Sequence, residues 1–563
     1  MSRPARAARI ARVAALVLLL SAVTVAPVAG HQSAATATDP HIDVVLPNPV
    51  ADDDAGEYVA VAVPAGNWTV SDGESTVRIH SETGGVVVVT GDPRAVVDPP
   101  DGRVLDADLS LSNAGERLVL ARAGAGGEEG EVVDVVSYER APEGKRWVDG
   151  ADPQWRPVGY DARSPQSLGA TEATAFVLPD APGPPVAPIR RATDRVLLAG
   201  YTFASERVAE ALIDAQGRGA TVRVLLDGGP VGGITERQAA LLDRLVAAGV
   251  EVRVVAGPRA RFRYHHAKYA VADDTAVVLT ENWKPSGTGG ADSRGWGVVL
   301  RSDRSADALA FLYRSDAGWR DAVPWREFRT GRAFTDADDA GADDAGGDET
   351  YPTRHDPADV RVERVTLLTA PGNAASGVVA VVDDADERVD VLQPTVADGP
   401  LLAATRRAAE RGVTVRLLLS NAWYVAEENA ALAERLNDWA DRADVPFEAR
   451  VADPDGRFGK VHAKGVVADD TAVVGSLNWN PTSATENREV VVALEGDAVA
   501  DYYRESYAAD WRAGRGGQRG DGAPLPPVLG VAAVGAAAGV ALLLHRRVTF
   551  EADGGDDGGG PIG

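Results

Sequence analysis

Two short stretches of this chain carry the same reactive side chains at the same spacing. His266-Ala267-Lys268 is followed by Asp273 and then Asn282-Trp283; His462-Ala463-Lys464 is followed by Asp469 and then Asn478-Trp479. With eight His and five Lys among 563 residues, two His-x-Lys pairs are expected by accident at roughly 0.003, so the repetition needs a cause. The motif reads as part of a strand, where His266 and Lys268, two residues apart, point to the same face. An imidazole beside an ammonium raises the electrostatic energy unless an anion lies between them, which weighs against a purely fold-forming pair. Two His, two Lys and two amides drawn from two halves make a compact cationic pocket that suits a phosphate diester. One imidazole can attack phosphorus while the other protonates the leaving oxygen. Lysines and asparagines can hold the non-bridging oxygens as negative charge builds. These residues call for no metal and no other cofactor, and no His/Asp/Glu cluster elsewhere offers a metal site.

The chain also supplies elements able to hold two copies of one arrangement. After a Pro-rich stretch at 179–188, the runs 196–203, 222–226 and 252–255 read as strands, and 205–216 and 236–248 have helical spacing. Tyr269–Ala272 and Thr275–Leu279 read as two more strands, so the layout is α/β. The segment 218–226 (RGATVRVLL) matches 411–419 (RGVTVRLLL) at an offset of 193, and 266–278 matches 462–474 at 196. Two repeats are too few for a solenoid. The expectation is two lobes face to face, 171–333 and 359–515, joined by an acidic, solvated linker at 334–358.

The second copy, with His462, Lys464, Asp469, then Gly475-Ser476-Leu477-Asn478 and Glu489, resembles the pattern of the phospholipase D superfamily. The resemblance extends over 171–515 and implies a duplicated α/β fold of that type, a phosphohistidine intermediate, and hydrolysis or transfer at a phosphodiester. It implies that Lys268, Lys464, Asn282 and Asn478 bind the phosphate, assisted by Ser476 and by Thr280 in its place. Asp273 and Asp469 would brace the motif. The gap from Asp469 to Gly475 is one residue shorter than the family's. The first copy departs further: Leu279-Thr280-Glu281-Asn282 replaces Gly-Ser-x-Asn, and Gly295 stands where Glu489 falls after a two-residue insertion. In the family that glutamate orients a catalytic imidazole, so one histidine here lacks its usual partner, with Asp292 or Glu281 as substitutes. The residues leave open which histidine attacks; family habit favours His266. Tyr264 and His265 read as pocket wall or surface, and Trp283 and Trp479 as packing. Trp423, Tyr424, Arg259, Arg261 and Arg263 are candidates to rim the site, Arg263 being the best placed for an anionic substrate.

The length predicts three or four domains. A hydrophobic fraction of 45% with mean hydropathy −0.13 excludes both wholesale disorder and a polytopic membrane protein. The absence of cysteine excludes disulfides, Cys-ligated metals and thiol nucleophiles. A net charge of −26 excludes a broad basic footprint for nucleic acid, less firmly in strong salt, where that field is screened. Only Lys145, Lys268, Lys284, Lys460 and Lys464 are lysines; the other cations are arginines. An acidic, lysine-poor chain is the expectation for a halophilic source, GC-biased codon usage being the other route to the same scarcity.

Ahead of the lobes, 41–163 reads as short Val- and Ile-rich strands between Gly, Asp and Pro turns, an all-β sandwich. Ile42–Pro49 by position (IDVVLPNP), Gly56-Glu57-Tyr58-Val59, 109–120 (LSLSNAGERLVL) and 132–138 (VVDVVSY) resemble a lamin-tail domain. That resemblance implies an immunoglobulin-like fold and a binding or spacer role, with the partner left open. At the start, arginines followed by an uncharged run predict a signal peptide over 1–30. Near the end, 524–544 reads as one transmembrane helix, and His545-Arg546-Arg547 place the tail 545–563 in the cytoplasm.

These features lead to a cell-membrane protein whose catalytic lobes face outward and cleave phosphodiesters, in phospholipid or nucleic acid. The rival expectation is a non-catalytic surface module that binds phosphate-bearing polymers through the cationic pocket.

Overall fold

The computed structural model describes residues 39–124, 130–150, 155–160, 163–335 and 351–516. The predicted signal peptide 1–30, the spanning segment 524–544, the tail 545–563 and most of the acidic linker lie outside the described residues. Among the described residues no helix is long and apolar enough to cross a membrane. The chain forms two compact units: one runs to Asp161 and includes the segment Gly257–Arg261, and the other holds the remainder.

The first unit is built of β-strands in two sheets, one of six strands and one of four. In the smaller sheet, Gly66–Ser71, Thr76–Ser81, Glu116–Arg122 and Val132–Tyr138 run antiparallel. Alternation drives its assembly: Trp68, Val70, Val77, Ile79, Leu118 and Leu120 turn inward and share one core with Ile42, Val45, Val59 and Val61 of the larger sheet. The strand Gly66–Ser71 escapes a sequence reading because Asn67 and Thr69, its outward residues, flank the buried Trp68 and Val70 like a turn.

Each lobe of the second unit repeats one scheme. In the first, Arg195–Gly200, Thr221–Asp227 and Glu251–Val255 run parallel, with helices Glu206–Gly217 and Glu236–Ala247 as the crossovers. Ser205 and Thr235 start those helices, their hydroxyls accepting from the N–H groups of Val208 and Gln238. The sheet continues antiparallel through Tyr269–Ala272, Thr275–Leu279 and Ser293–Arg301. In the second lobe, Arg388–Gln393, Thr414–Leu419 and Phe447–Val451 are parallel, and Gly465–Ala468, Thr471–Gly475 and Glu489–Glu495 complete the sheet. Each lobe has its own buried core between sheet and helices.

The lobes face each other, Thr275–Leu279 and Ser293–Arg301 packing near Thr471–Gly475 and Glu489–Glu495, and they are also joined by strand pairing. The strand Gln166–Leu178 pairs antiparallel with Ser293–Arg301 of its own lobe and with Ala358–Ala370 of the other. Ala358–Ala370 in turn pairs with Glu489–Glu495. The two sheets therefore join edge to edge, and the motif segments of both lobes fall near the seam. These two strands, each of 13 residues and related by an offset of 192, are themselves counterparts in the duplication, but their residues match too little for the sequence to show it.

Candidate active site

The motif histidines do not sit on strands. His266 and Lys268 lie in the extended segment just before Tyr269–Ala272, and His462 and Lys464 just before Gly465–Ala468. Extended backbone preserves the two-residue alternation. In both copies, however, the lysine Nζ turns back and donates to the carbonyl of its own histidine, at 2.5 Å for Lys268 and 2.7 Å for Lys464. Each histidine segment is also stitched to the opposite lobe. His266 N–H donates to the Arg488 carbonyl at 2.9 Å, and His462 N–H to the Arg294 carbonyl at 3.0 Å.

Each imidazole rests on a carboxylate from the other lobe. His266 Nδ1 lies 2.9 Å from Glu489 Oε2 and 3.0 Å from Oε1. Glu489 is fully buried and also accepts from the Ser483 hydroxyl and from Asn487 Nδ2. His462 Nδ1 lies 3.1 Å from Glu281 Oε2. Of the two substitutes the sequence allowed, Glu281 is thus the one in contact, while Asp292 pairs with Lys460 at 3.7 Å. Gly295 explains how: a Cβ there would fall 2.2 Å from Glu281 Cγ and 2.6 Å from its Oε1. The Glu281 side chain fills the space above a bare glycine, and Leu477 is its counterpart in the second lobe. With Nδ1 committed to a carboxylate in both rings, Nε2 is the nitrogen available for chemistry.

Burial and the neighbouring charges divide the two pairs. His266 is pushed down to about 4 by burial, against the pull of Glu489. Burial raises Glu489, but the charge and hydrogen bond of His266, with Lys268, more than offset it and hold that carboxyl below its ordinary value. Glu281 goes the other way: burial pushes it up to about 7, although Lys464, Lys460, Lys268 and Lys284 pull it down. His462 is driven well down by burial and then by Lys464, Lys268, Lys460 and Lys284. Burial takes Lys464 down to about 8 and Lys268 well below its usual value.

The other predicted site residues fall around this centre. Asn282 is buried and Asn478 half-buried, each in the loop after its motif hairpin. Thr280 and Ser476, expected to assist at the phosphate, are both fully buried and tie neighbouring strands. The Thr280 hydroxyl accepts from Trp296 N–H at 2.9 Å and the Ser476 hydroxyl from Val490 N–H at 3.0 Å. The Asp273 carboxylate accepts from the N–H groups of Thr193, Asp194 and Arg195, each at 2.9 Å. Asp469 does the same for Asp386, Glu387 and Arg388. Arg263 is half-exposed and pairs across the lobes with Glu486 at 3.3 Å. Trp283 and Trp479 are buried; Trp283 Nε1 donates to the Ala199 carbonyl.

Several contributors were not singled out from sequence. His265, read as wall or surface, is fully buried, with its N–H on Asp227 and its Nε2 3.4 Å from Asp316. Tyr201 packs edge-on to His266 at 4.9 Å between ring centres, and Lys268 Nζ lies 5.4 Å from its ring centre. Arg488, next to Glu489, pairs with Asp316 of the first lobe at 2.7 Å. Arg294, next to Gly295, pairs with Asp510 of the second lobe at 2.9 Å and with Asp180 at 2.6 Å. The signal was present, because Arg294 and Arg488, like Asp316 and Asp510, recur at an offset of 194. At the rim, Trp423 is 81% exposed, and the ring centre of Tyr424 lies 5.9 Å from Lys460 Nζ.

The family model described as "Cardiolipin synthase, PLD-like domain", PLD being phospholipase D, matches residues 186–310 and 378–511. Among solved structures, the chain is similar to phosphatidylserine synthase of Haemophilus influenzae Rd KW20, with 13% identity, 68% of this chain and 96% of that one covered, and a TM-score of 0.52. It is also similar to Nuc, a phospholipase D family member from Salmonella typhimurium, with 17% identity, 27% of this chain and 97% of that one covered, and a TM-score of 0.24. Comparison with curated proteins gives no match. The two matched stretches fall one in each lobe, and each contains one His-x-Lys motif with its Asp and Asn. The stretches 186–310 and 378–511, one in each lobe, are thus each similar to a phospholipase D-like domain.

Proposed function

We propose that this protein is a phosphodiesterase that works through two imidazoles, one from each lobe. One observation carries the reading: each motif histidine has its Nδ1 on a buried carboxylate of the opposite lobe, while lysines from both lobes surround the pair. His266, neutral above about pH 4 and backed by an ionised Glu489, is the nucleophile. Its Nε2 lone pair forms an N–P bond as the bond from phosphorus to the leaving oxygen breaks. That oxygen takes a proton from Nε2 of His462, and the proton held by Glu281 passes to Nδ1 of the same ring. In the second step Nε2 of His462 removes a proton from water, the hydroxide attacks phosphorus, and the N–P electron pair returns to His266. Lys268, Lys464, Asn282 and Asn478 hold the non-bridging oxygens, where charge gathers in the transition state.

The substrate class is a phosphodiester of lipid or nucleic acid. The apolar segment at 524–544 with arginines behind it, and the leader at 1–30, support a location at the outer face of a membrane. The strand pattern of 41–163 supports a lamin-tail-like binding or spacer unit. The test is cleavage of bis(p-nitrophenyl) phosphate by the full chain in EDTA, beside His266→Ala and His462→Ala. Turnover that persists in EDTA and falls at least about 10³-fold in each variant is expected. Binding of phosphate polymers without turnover would instead favour a non-catalytic surface module.

A further inference from the structure

Two loops beside the motif histidines lack the charge that the rest of the chain carries. In each lobe the second parallel strand, Thr221–Asp227 or Thr414–Leu419, runs into the second helix, Glu236–Ala247 or Ala426–Ala443, through such a loop. Residues 228–235 (GGPVGGIT) and 420–425 (SNAWYV) hold no Lys, Arg, Asp or Glu, in a sequence of which 25% is charged. Their tips are apolar instead: Val231 is 75% exposed, Trp423 81% and Tyr424 47%. Among the described residues, the lobes expose one other large apolar side chain, Phe311, and the Arg163 guanidinium lies 4.5 Å from its ring centre.

Both tips are tied to the site. The Val231 N–H donates to the Tyr201 hydroxyl at 2.6 Å, and the Tyr201 ring centre lies 4.9 Å from that of His266. Gly232 and Gly233 take φ of 87° and 83°, a turn that glycine permits directly behind the exposed side chain. In the other lobe Asn421 Nδ2 donates to the Gly459 carbonyl at 3.3 Å, three residues before His462. The Tyr424 ring centre lies 5.9 Å from Lys460 Nζ, and the Trp423 ring meets Tyr424 edge to face at 5.6 Å. Each histidine thus has an apolar tip of its own lobe beside it.

Nucleic acid is held by cations along its backbone, and these loops supply none. The exposed Glu236, Glu427 and Glu428 follow them within two residues and add charge of the wrong sign. A bilayer fits better. Its phosphodiesters lie just above the acyl chains, at the depth where aromatic rings settle with one end dry and the other wet. Uncharged apolar side chains enter that boundary readily.

We propose that the loops at 228–235 and 420–425 dock on a lipid bilayer, with Val231 and the Trp423 ring entering between headgroups on the two sides of the pocket. The proposal rests on the reading of the pocket as one that takes phosphodiesters, and it gives those diesters a lipid surface.

The experiment mixes the full chain with phosphatidylcholine vesicles, plain or brominated on the acyl chains, and follows tryptophan emission. The last tryptophan is Trp511, so an apolar tail entering the bilayer brings no quenching of its own. Bromine is expected to quench a component that Trp423→Phe abolishes. Val231→Asp, which sets a charge on the opposite tip, should cut that component at least about tenfold. Equal emission in the two kinds of vesicle, or a quenched component that survives both substitutions, would overturn the docking. Quenching by a thymidine oligonucleotide in place of brominated vesicles would also overturn it, and would assign Trp423 to base stacking. Quenching that depends on Trp423 and Val231, in a chain that cleaves no bis(p-nitrophenyl) phosphate, would sink the catalytic reading and leave the docking standing; cleavage without quenching would do the reverse.

Discussion

The two halves of the site use the same side chains and reach opposite electrostatic ends. Around His266, the acid sits on the strand Glu489–Glu495, its oxygens satisfied by His266, Ser483 and Asn487, and it is held ionised. Around His462, the acid has moved to the loop position 281, above Gly295, and its Oε1 has no hydrogen-bond partner. Fewer donors and equal burial leave it holding a proton near neutrality. Carboxyl groups pushed apart in this way mark a division of labour between acid and base. The difference teaches that a duplicated site can specialise without changing its histidines. Moving the supporting acid by one strand, and emptying the space it enters, is enough.

The sharpest way to break the comparison is to make the two acids neutral in turn. Glu489→Gln removes a carboxylate that is charged throughout the working range, so kcat should fall about 10²- to 10⁴-fold at every pH. Arg488→Ala and Arg294→Ala test whether the halves lean on each other equally. Each removes one charged partner of a buried aspartate of the opposite lobe, leaving Asp316 beside His265 and Asp510 beside Arg457, and should cost about 3 kcal/mol in chemical unfolding. A much smaller loss in one would make the seam one-sided.

Glu281→Gln is the milder acid substitution, because the amide resembles the protonated form: about 10- to 100-fold in kcat is expected near pH 7, somewhat more at pH 6, where more of Glu281 holds its proton, and less at pH 8. The pH profile carries the sign. His266, lowered from 6.5 to about 4, gains its nucleophilic form as pH rises through 4. Glu281, raised from 4.5 to about 7, loses its proton as pH rises through 7, taking the proton supply with it. A bell between those limits is expected, with its alkaline limb gone in Glu281→Gln; a limb that stays would refute the role given to Glu281. Glu281→Leu/Gly295→Glu, which rebuilds the His266 arrangement around His462, should recover at least about tenfold over Glu281→Leu alone. The smallest effect belongs to Asp273→Asn, which keeps one oxygen for the backbone donors and should cost about 1 kcal/mol of stability.

Much of this centre was legible in the residues because spacing along a duplicated chain is a one-dimensional signal. His266, Lys268, Asn282 and their counterparts could be paired by subtraction. The partner of His462 could not, since Glu281 and Asp292 lie on the same loop and only the empty space above Gly295 tells them apart. Thr280 and Ser476 could be paired too, but spacing does not show that each buried hydroxyl accepts from a backbone N–H of the neighbouring strand. His265 was hidden by its neighbour, the repeat having no second histidine at position 461. The paired arginines at 294 and 488 did repeat, yet their meaning lies in aspartates more than a hundred residues away.

The strands Gln166–Leu178 and Ala358–Ala370 give the molecule the character of a dimer closed within one chain. Cut apart between the lobes, each piece would bare a long row of unpaired N–H and C=O groups along this pair, a template for indiscriminate strand addition. Each piece would also carry a histidine without its carboxylate and a carboxylate without its histidine. Separately produced lobes should therefore clump when alone and regain solubility only when mixed, so that permission to fold and permission to react are granted by the same seam.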